Sequence, residues 1–275
     1  AGFSNFSSGL VPLVGSPVVM LTVTALILLG GIGFPVLSEL GRALFVRLRR
    51  RRAPALSLHT RVALFTTLLL AAGMALAYFV LEWRASMRGL AVHERLLAAV
   101  FQSASARTAG FNVVDIGMMT SATLVLTCAA MFVGACPGST GGGIKTTTLA
   151  VLFSGLRSEL LARPPRLLDR SVPQPVIRRA IGVAFLSMVI VFVIFFLLLL
   201  FEPHAPLELA FEVVSAFSTT GLSTGVTPEL STPGKLLVTF TMFVGRIGPL
   251  TLALALARAA QARPVELPEE RVMIG

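Results

Sequence analysis

Charge is scarce in this chain, and acidic charge scarcer still. Only 13% of the 275 residues are charged, against roughly 25% in an ordinary soluble domain, and the 13 Asp and Glu are outnumbered by 23 Lys and Arg. Nothing charged precedes Glu39, and residues 62–81, 116–144 and 180–201 carry no charge at all. Crossing the hydrocarbon core takes about 20 apolar residues. These runs therefore exclude the soluble domains that length alone would allow and identify an all-α integral membrane protein. Cysteine is nearly absent: Cys128 and Cys136 share one apolar run at no zinc-binding spacing, which leaves two small buried thiols. His59, His93 and His204 are scattered among helix ends, so no nucleophile–base pair or metal-ligand cluster forms, and neither an enzyme nor a cofactor is expected. The single Tyr and single Trp, Tyr78 and Trp83, fall at one end of the 62–81 run, where interfacial anchors belong.

The basic excess is clustered. Seven Arg lie within 42–61, six within 157–179 and three within 258–271, at alternate ends of the apolar runs and so on one side; the other side carries Arg84, Arg88, Arg95 and Lys235. The positive-inside rule makes the richer side cytoplasmic, in a cell inner (plasma) membrane crossed several times. The run Arg47-Leu48-Arg49-Arg50-Arg51-Arg52 then serves as a topology determinant beside anionic lipid headgroups. No aromatic interleaving or DNA-binding fold accompanies it, so the expected partner is the lipid bilayer and not nucleic acid.

What the chain has in abundance is internal repetition. An offset of 111 residues places Thr108-Ala109-Gly110-Phe111 over Thr219-Thr220-Gly221-Leu222, and Met131-Phe132-Val133-Gly134 over the identical Met242-Phe243-Val244-Gly245. Each copy reads apolar helix, short amphipathic segment, turn with one glycine, second apolar helix. The opening Ala1-Gly2-Phe3 matches Ala109-Gly110-Phe111, so the sequence is expected to begin inside another such turn, as an N-terminally truncated fragment. The pattern divides the chain into 1–48, 49–162 and 163–275. It predicts a spanning helix over 17–48, in which Gly30-Gly31-Ile32-Gly33-Phe34-Pro35 should introduce a kink or let a neighbour approach closely, and a cytoplasmic loop over 49–58. An outward helix over 59–82, a half-membrane helix over 94–106, a turn over 107–115 and a descending helix over 117–135 follow. After the interruption at 136–143 a helix resumes near 144 and runs to about 161. The last copy comprises a linker over 163–175, helices over 176–201 and 207–218, a turn over 219–225, a descending helix over 233–260 and a polar cytoplasmic end over 261–275.

Re-entrant turns expose backbone carbonyls inside a membrane, which is tolerated only where they line protein or a water path, and carbonyl rings are how cation filters are built. Glycine reaches the backbone angles such a turn needs, and the preceding short helix aims the negative end of its dipole at the same axis. The candidate filter residues are Gly2, Thr108, Ala109, Gly110, Phe111, Thr219, Thr220, Gly221 and Leu222, with threonine hydroxyls available as further oxygen ligands. No carboxylate ring occurs at the turns, which points to a weakly held monovalent cation and away from calcium. Asp115 either concentrates cations at the outer mouth or caps the following helix.

The segment Cys136-Pro137-Gly138-Ser139-Thr140-Gly141-Gly142-Gly143 holds four glycines and a proline in eight residues and cannot remain a regular helix. It is not a phosphate-binding loop, because Ile144 separates Gly143 from Lys145 and shifts the spacing by one. A flexible plug below the filter is the better reading. Arg246 divides the apolar stretch 236–257. Insertion of such a charge at mid-membrane costs about 2.5–3.5 kcal/mol, so it faces a partner or a water path. The repeat places Arg246 over Ala135, at the depth of the glycine loop. It is expected either to bond that loop as an inner gate and repel waiting cations, or to be a buried structural arginine.

These residues resemble a known family. Arg107-Thr108-Ala109-Gly110-Phe111-Asn112, the loop from Pro137 through Gly143 into Ile144-Lys145-Thr146, Thr220-Gly221-Leu222-Ser223-Thr224-Gly225, and Gly245-Arg246-Ile247-Gly248-Pro249-Leu250-Thr251 look like the Trk/Ktr/HKT superfamily of potassium transporters, most of all the bacterial Ktr membrane subunits; the closing Val272-Met273-Ile274-Gly275 is similar as well. The resemblance implies four helix–pore-loop–helix repeats around one pore. Residues 1–48 would be the end of the second, 49–162 the third and 163–275 the fourth. It also implies filter glycines at Gly2, Gly110 and Gly221, K+ held by filter carbonyls, a gate formed by Cys136–Gly143 and Arg246, sodium dependence, a homodimer, and a cytoplasmic ring of nucleotide-binding regulatory subunits. Thr220 stands where the Ktr-like pattern more often has Val. The competing readings are a secondary transporter with broken helices and a midplane solute site, which calls for inverted rather than parallel repeats, and a membrane ATPase, which the loop spacing excludes.

Overall fold

The computed structural model describes residues 9–49, 55–248 and 251. Its helices are α1 (Pro17–Ile32), α2 (Phe34–Leu48), α3 (Leu58–Leu81), α4 (Val92–Ser105), α5 (Ser121–Phe132), α6 (Thr146–Leu161), α7 (Gln174–Phe201), α8 (Pro206–Phe217) and α9 (Thr232–Ile247). α3 and α7 are each long and apolar enough to cross a membrane, and the bent pair α1–α2 reaches that length together. Phe185, Phe192, Phe196 and Leu200 stand exposed along α7, an arrangement that suits lipid rather than water. The chain is a multi-pass membrane protein.

The short helices α4 and α8 are wedged at the centre. α4 packs between its own long helix α3 and the preceding α1, and α8 between α7 and the preceding α5, with α9 closing its other side. Met20, Tyr78, Phe101, Met131 and Phe211 share one buried cluster at this junction, and Ile194, Leu198, Leu209, Val213 and Val238 another around α8. Both copies fix the start of their second helix in one way. Glu82, at the end of α3, accepts from the amide of Thr120 at 3.0 Å, and Thr120 caps α5. Glu202, at the end of α7, accepts from the amide of Ser231 at 3.1 Å, and Ser231 caps α9. A carboxylate beside a helix N-terminus also complements its dipole.

Several boundaries depart from the sequence reading. The 17–48 segment is two helices meeting at 105° and not one kinked span. Gly33 sits between them at φ 92°, ψ 146°, a conformation nearly reserved for glycine, and the amide of Phe34 leaves the helix to bond the Gly138 carbonyl at 3.1 Å. Gly248 takes φ 91°, ψ 130° and ends α9 at Ile247, so the described part of the 233–260 segment stops in the same way. The two breaks share the sequence Gly-x-Ile-Gly, at 30–33 and 245–248. After the first glycine turn a 3-10 turn, Ile116–Met118, precedes α5, which ends three residues before the expected 135. The 163–175 linker folds into a two-residue-per-strand hairpin, β1 (Arg166–Leu167) with β2 (Arg170–Ser171), and Asp169 in its turn meets Arg61 at 3.0 Å. That contact puts two of the arginine clusters at one end of the molecule. Tyr78 is no interfacial anchor: it is fully buried, with its hydroxyl 2.7 Å from that of Thr127. Trp83 is half-buried, edge-on to Phe79 and beneath the Arg95 guanidinium.

Candidate functional site

The two glycine turns repeat in backbone as well as in sequence. Thr108 and Thr219, equivalent by the offset, both take positive φ (104° and 53°), as do Gly110 and Gly221 (77° and 91°). A β-branched residue at positive φ is a true outlier, worth about 1–3 kcal/mol of strain, and such strain persists only where surroundings impose it. Here the ends of α4 and α8 do so. The amides of Ala109 and Thr220 bond the carbonyls of Ser105 and Ser215, and the amide of Gly221 bonds the Ser215 hydroxyl at 3.2 Å. The turns lie against one another: a Cβ on Gly110 would overlap the Thr220 carbonyl oxygen and stand 3.1 Å from the Cα of Gly221. On the opposite side, the amide of Leu10 bonds the Asn112 carbonyl at 2.9 Å, so the chain leading into α1 flanks the same turn. Ala109, Thr220 and Leu222 are buried, whereas Thr108, Gly110, Phe111 and Thr219 are half-buried and Gly221 is exposed. Gly2 lies outside the described residues.

The glycine loop sits directly under both turns. Gly141 packs against the Thr108 side chain, and the amide of Gly142 donates to the Thr219 hydroxyl at 2.9 Å. One flank of the loop docks into the α1–α2 break. The amide of Cys136 bonds the Gly31 carbonyl at 3.0 Å, the Pro137 carbonyl lies against Gly33, and Gly138 accepts from Phe34. The Cys136 thiol is enclosed by the hydroxyls of Thr67 and Thr146, and the Ser139 hydroxyl turns back to the Cys136 carbonyl. The other flank meets cations. Arg246 Nη1 donates to the Thr140 carbonyl and Lys145 Nζ to that of Gly141. Gly143, at φ 69°, returns the chain to Ile144, whose amide bonds the Phe132 carbonyl at 3.1 Å. Arg246 is not in the middle of a continuous helix as the sequence suggested; it occupies the last turn of α9, immediately before the Gly248 break. Asp115 caps, with Oδ1 accepting from the amide of Gly117 at 2.9 Å, though what it caps is the 3-10 turn rather than α5.

Three charged residues at the site escaped the sequence reading as participants. Arg107 is 6% exposed; its Nη1 donates to the Thr67 carbonyl at 3.0 Å and its Nη2 reaches that of Gly134, where α5 has just ended, at 3.5 Å. No carboxylate pairs with it among the described residues. Glu212, on α8, is 4% exposed and receives the Ser223 hydroxyl, the Thr224 amide and the Thr227 hydroxyl at 2.5, 3.2 and 2.6 Å. Lys145 is the third. Each had a signal: Arg107 is the sole charge between Arg95 and Asp115, Lys145 the sole charge between Asp115 and Arg157, and Glu212 the sole charge between Glu208 and Glu229.

This arrangement has counterparts among known proteins. The family model described as TrkH, cation transport protein, matches residues 1–265. Ktr system potassium uptake protein B of Bacillus subtilis is 39% identical over 278 residues, covering 100% of this chain and 61% of its own length. The Vibrio alginolyticus protein of that name is 38% identical over 278 residues, with coverages of 100% and 60%. Potassium/sodium uptake protein NtpJ of Enterococcus hirae is 33% identical over 288 residues, with coverages of 100% and 61%. The chain thus spans about three fifths of the length of these relatives. The crystal structure of the potassium transporter TrkH from Vibrio parahaemolyticus shares the fold, with a TM-score of 0.76 at 20% identity over 93% of this chain and 55% of that one. From a match that runs through both turns, the loop and Arg246, it follows that the chain belongs to the TrkH cation transport family.

Proposed function

We propose that this chain supplies the greater part of a potassium-uptake pore through which ions move down their electrochemical gradient. The observation that carries the reading is the meeting of Gly110 and Gly221 in side-by-side turns with matching positive φ, each at the C-terminal end of a short helix. Carbonyls of 108–111 and 219–222, with Gly2 from the preceding turn, strip water from a monovalent cation and replace it with backbone oxygen. The turns offer no carboxylate, which favours K+ or Na+ over a divalent ion, and the relatives are named for potassium or potassium/sodium uptake. The loop 136–143 obstructs the path beneath, and Arg246 and Lys145 hold it there while repelling a waiting cation. A homodimer in the plasma membrane, seated on a cytoplasmic ring of nucleotide-binding subunits, completes the proposal.

Tracer potassium uptake by cells carrying the full-length protein tests it. Gly221→Ser, which forces a side chain into φ 91°, is expected to reduce uptake at least tenfold at equal membrane abundance. Equal uptake by the variant removes the filter assignment.

A further inference from the structure

Thr108 and Thr219 occupy equivalent places, both take positive φ and both touch the loop, but they touch it differently. Thr108 meets Gly141 through carbon alone: a Cβ on Gly141 would stand 2.8 Å from the Thr108 Cβ and overlap its methyl. Thr219 presents its hydroxyl, which accepts the Gly142 amide at 2.9 Å. Gly142 is packed so closely there that a Cβ would stand 2.8 Å from Thr219 Oγ1 and 2.9 Å from the Ser218 carbonyl. The neighbouring Thr220 hydroxyl is also engaged within the protein, 2.8 Å from that of Ser218. Both threonine hydroxyls of this turn therefore bond protein groups.

We propose that Thr219 is a positioning residue of the gate, a latch that holds the loop against the filter through the Gly142 amide, and not an ion ligand. This rests on the pore reading above. Three side chains then fasten the loop along one edge: Arg246 at Thr140, Lys145 at Gly141 and Thr219 at Gly142. The first two are charge-assisted and pull from the cytoplasmic side; the third is neutral and ties the loop to the filter turn itself. Withdrawing the loop must break that bond, so the state of the gate is registered at Thr219. A single neutral hydrogen bond shifts an open–closed equilibrium about two- to tenfold.

Thr219→Val keeps shape and β-branching but removes the acceptor, and Thr219→Ser keeps the acceptor. In liposomes containing the full-length transporter, Thr219→Val is expected to raise the basal rate of potassium uptake about two- to tenfold, with KM and the preference for potassium over sodium unchanged. It should also speed hydrogen–deuterium exchange across 140–143, whereas Thr219→Ser, which keeps the acceptor, should leave that exchange at the parent's rate. A raised KM or altered ion preference at an unchanged rate would instead make Thr219 an ion ligand and overturn the latch. So would a basal rate that stays level or falls in a conducting protein, or exchange that does not change. If the parent protein conducts no potassium, the pore reading fails and the gate role of Thr219 falls with it, even where Thr219→Val accelerates exchange by freeing the loop.

Discussion

The turn at Gly110 and the turn at Gly221 share their threonine, their glycine and positive φ at both, but not the side chains that support them. Position by position, Phe101 behind the first answers to Glu212 behind the second, Arg107 to Ser218, and Ala109 to Thr220. The first turn is held by apolar packing, with Phe101 fully buried, and by a buried guanidinium that reaches from the turn to Thr67 and Gly134. The second is held by a buried carboxylate that gathers Ser223, Thr224 and Thr227. Below the first the chain unwinds into a long loop; below the second α9 ends at Ile247, before Gly248. Positive φ at both threonines and both glycines, with unmatched supports, teaches that different side chains can impose the same kind of turn.

The two arginines give the largest contrast. Arg246→Ala removes a charge-assisted bond to the loop, of a kind worth about 1.5–3 kcal/mol. It is expected to raise basal potassium flux about tenfold or more while leaving the melting temperature near that of the parent. Arg107→Ala should do the opposite, lowering the melting temperature by emptying a packed site and orphaning two carbonyls, at about 2–4 kcal/mol. If Arg107→Ala opens the pore at unchanged stability, the division between a structural and a gating arginine is wrong.

Next come the supports behind the turns. Glu212→Ala leaves three donors without their acceptor and is expected to lower stability by about 3 kcal/mol and to weaken discrimination between potassium and sodium. Glu212→Gln, which retains an acceptor for Ser223 and Thr224, should recover most of both. Phe101→Ala is expected to lower stability by a similar or larger amount, about 3–5 kcal/mol, with no recovery by a polar replacement. Equal behaviour of Gln at both positions in uptake and thermal unfolding would erase the contrast. The smallest effect lies far from the turns. The hydrogen bond from Arg61 holds the Asp169 carboxyl below its ordinary 3.8. A carboxylate with a depressed value stabilises fully above 3.8 and loses that contribution as pH falls through its lower folded value. A melting-temperature scan from pH 5 downward should therefore show a slight excess loss in the parent over Asp169→Asn, kept small by the exposure of both partners.

Much of this was legible in the sequence because turns and charges leave local marks. The 111-residue offset located both turns, and the glycine-rich segment announced the loop. The alignment of Arg246 with Ala135 set its depth, and its bond to Thr140 follows from that depth. What escaped was long-range. Apolar averaging runs straight across Gly33, since Gly-x-Ile-Gly at 30–33 interrupts no hydrophobic run, and the contact with the loop accompanies its 105° bend; at 245–248 the only local mark is the charge of Arg246. Glu82 and Glu202 serve as acceptors for Thr120 and Ser231 across 38- and 29-residue separations, which no local pattern marks. Tyr78 looked interfacial from its place in the run; its burial comes from α5 crossing over it at Thr127.

The central claim is that carbonyls of adjacent turns share one cation. Anomalous scattering from crystals of the full-length protein soaked in thallium, a heavy potassium mimic, tests it directly. A peak between 108–111 and 219–222, lost when Gly221 is replaced by Ser, is the expected result; thallium bound only elsewhere, with that space vacant, would contradict it.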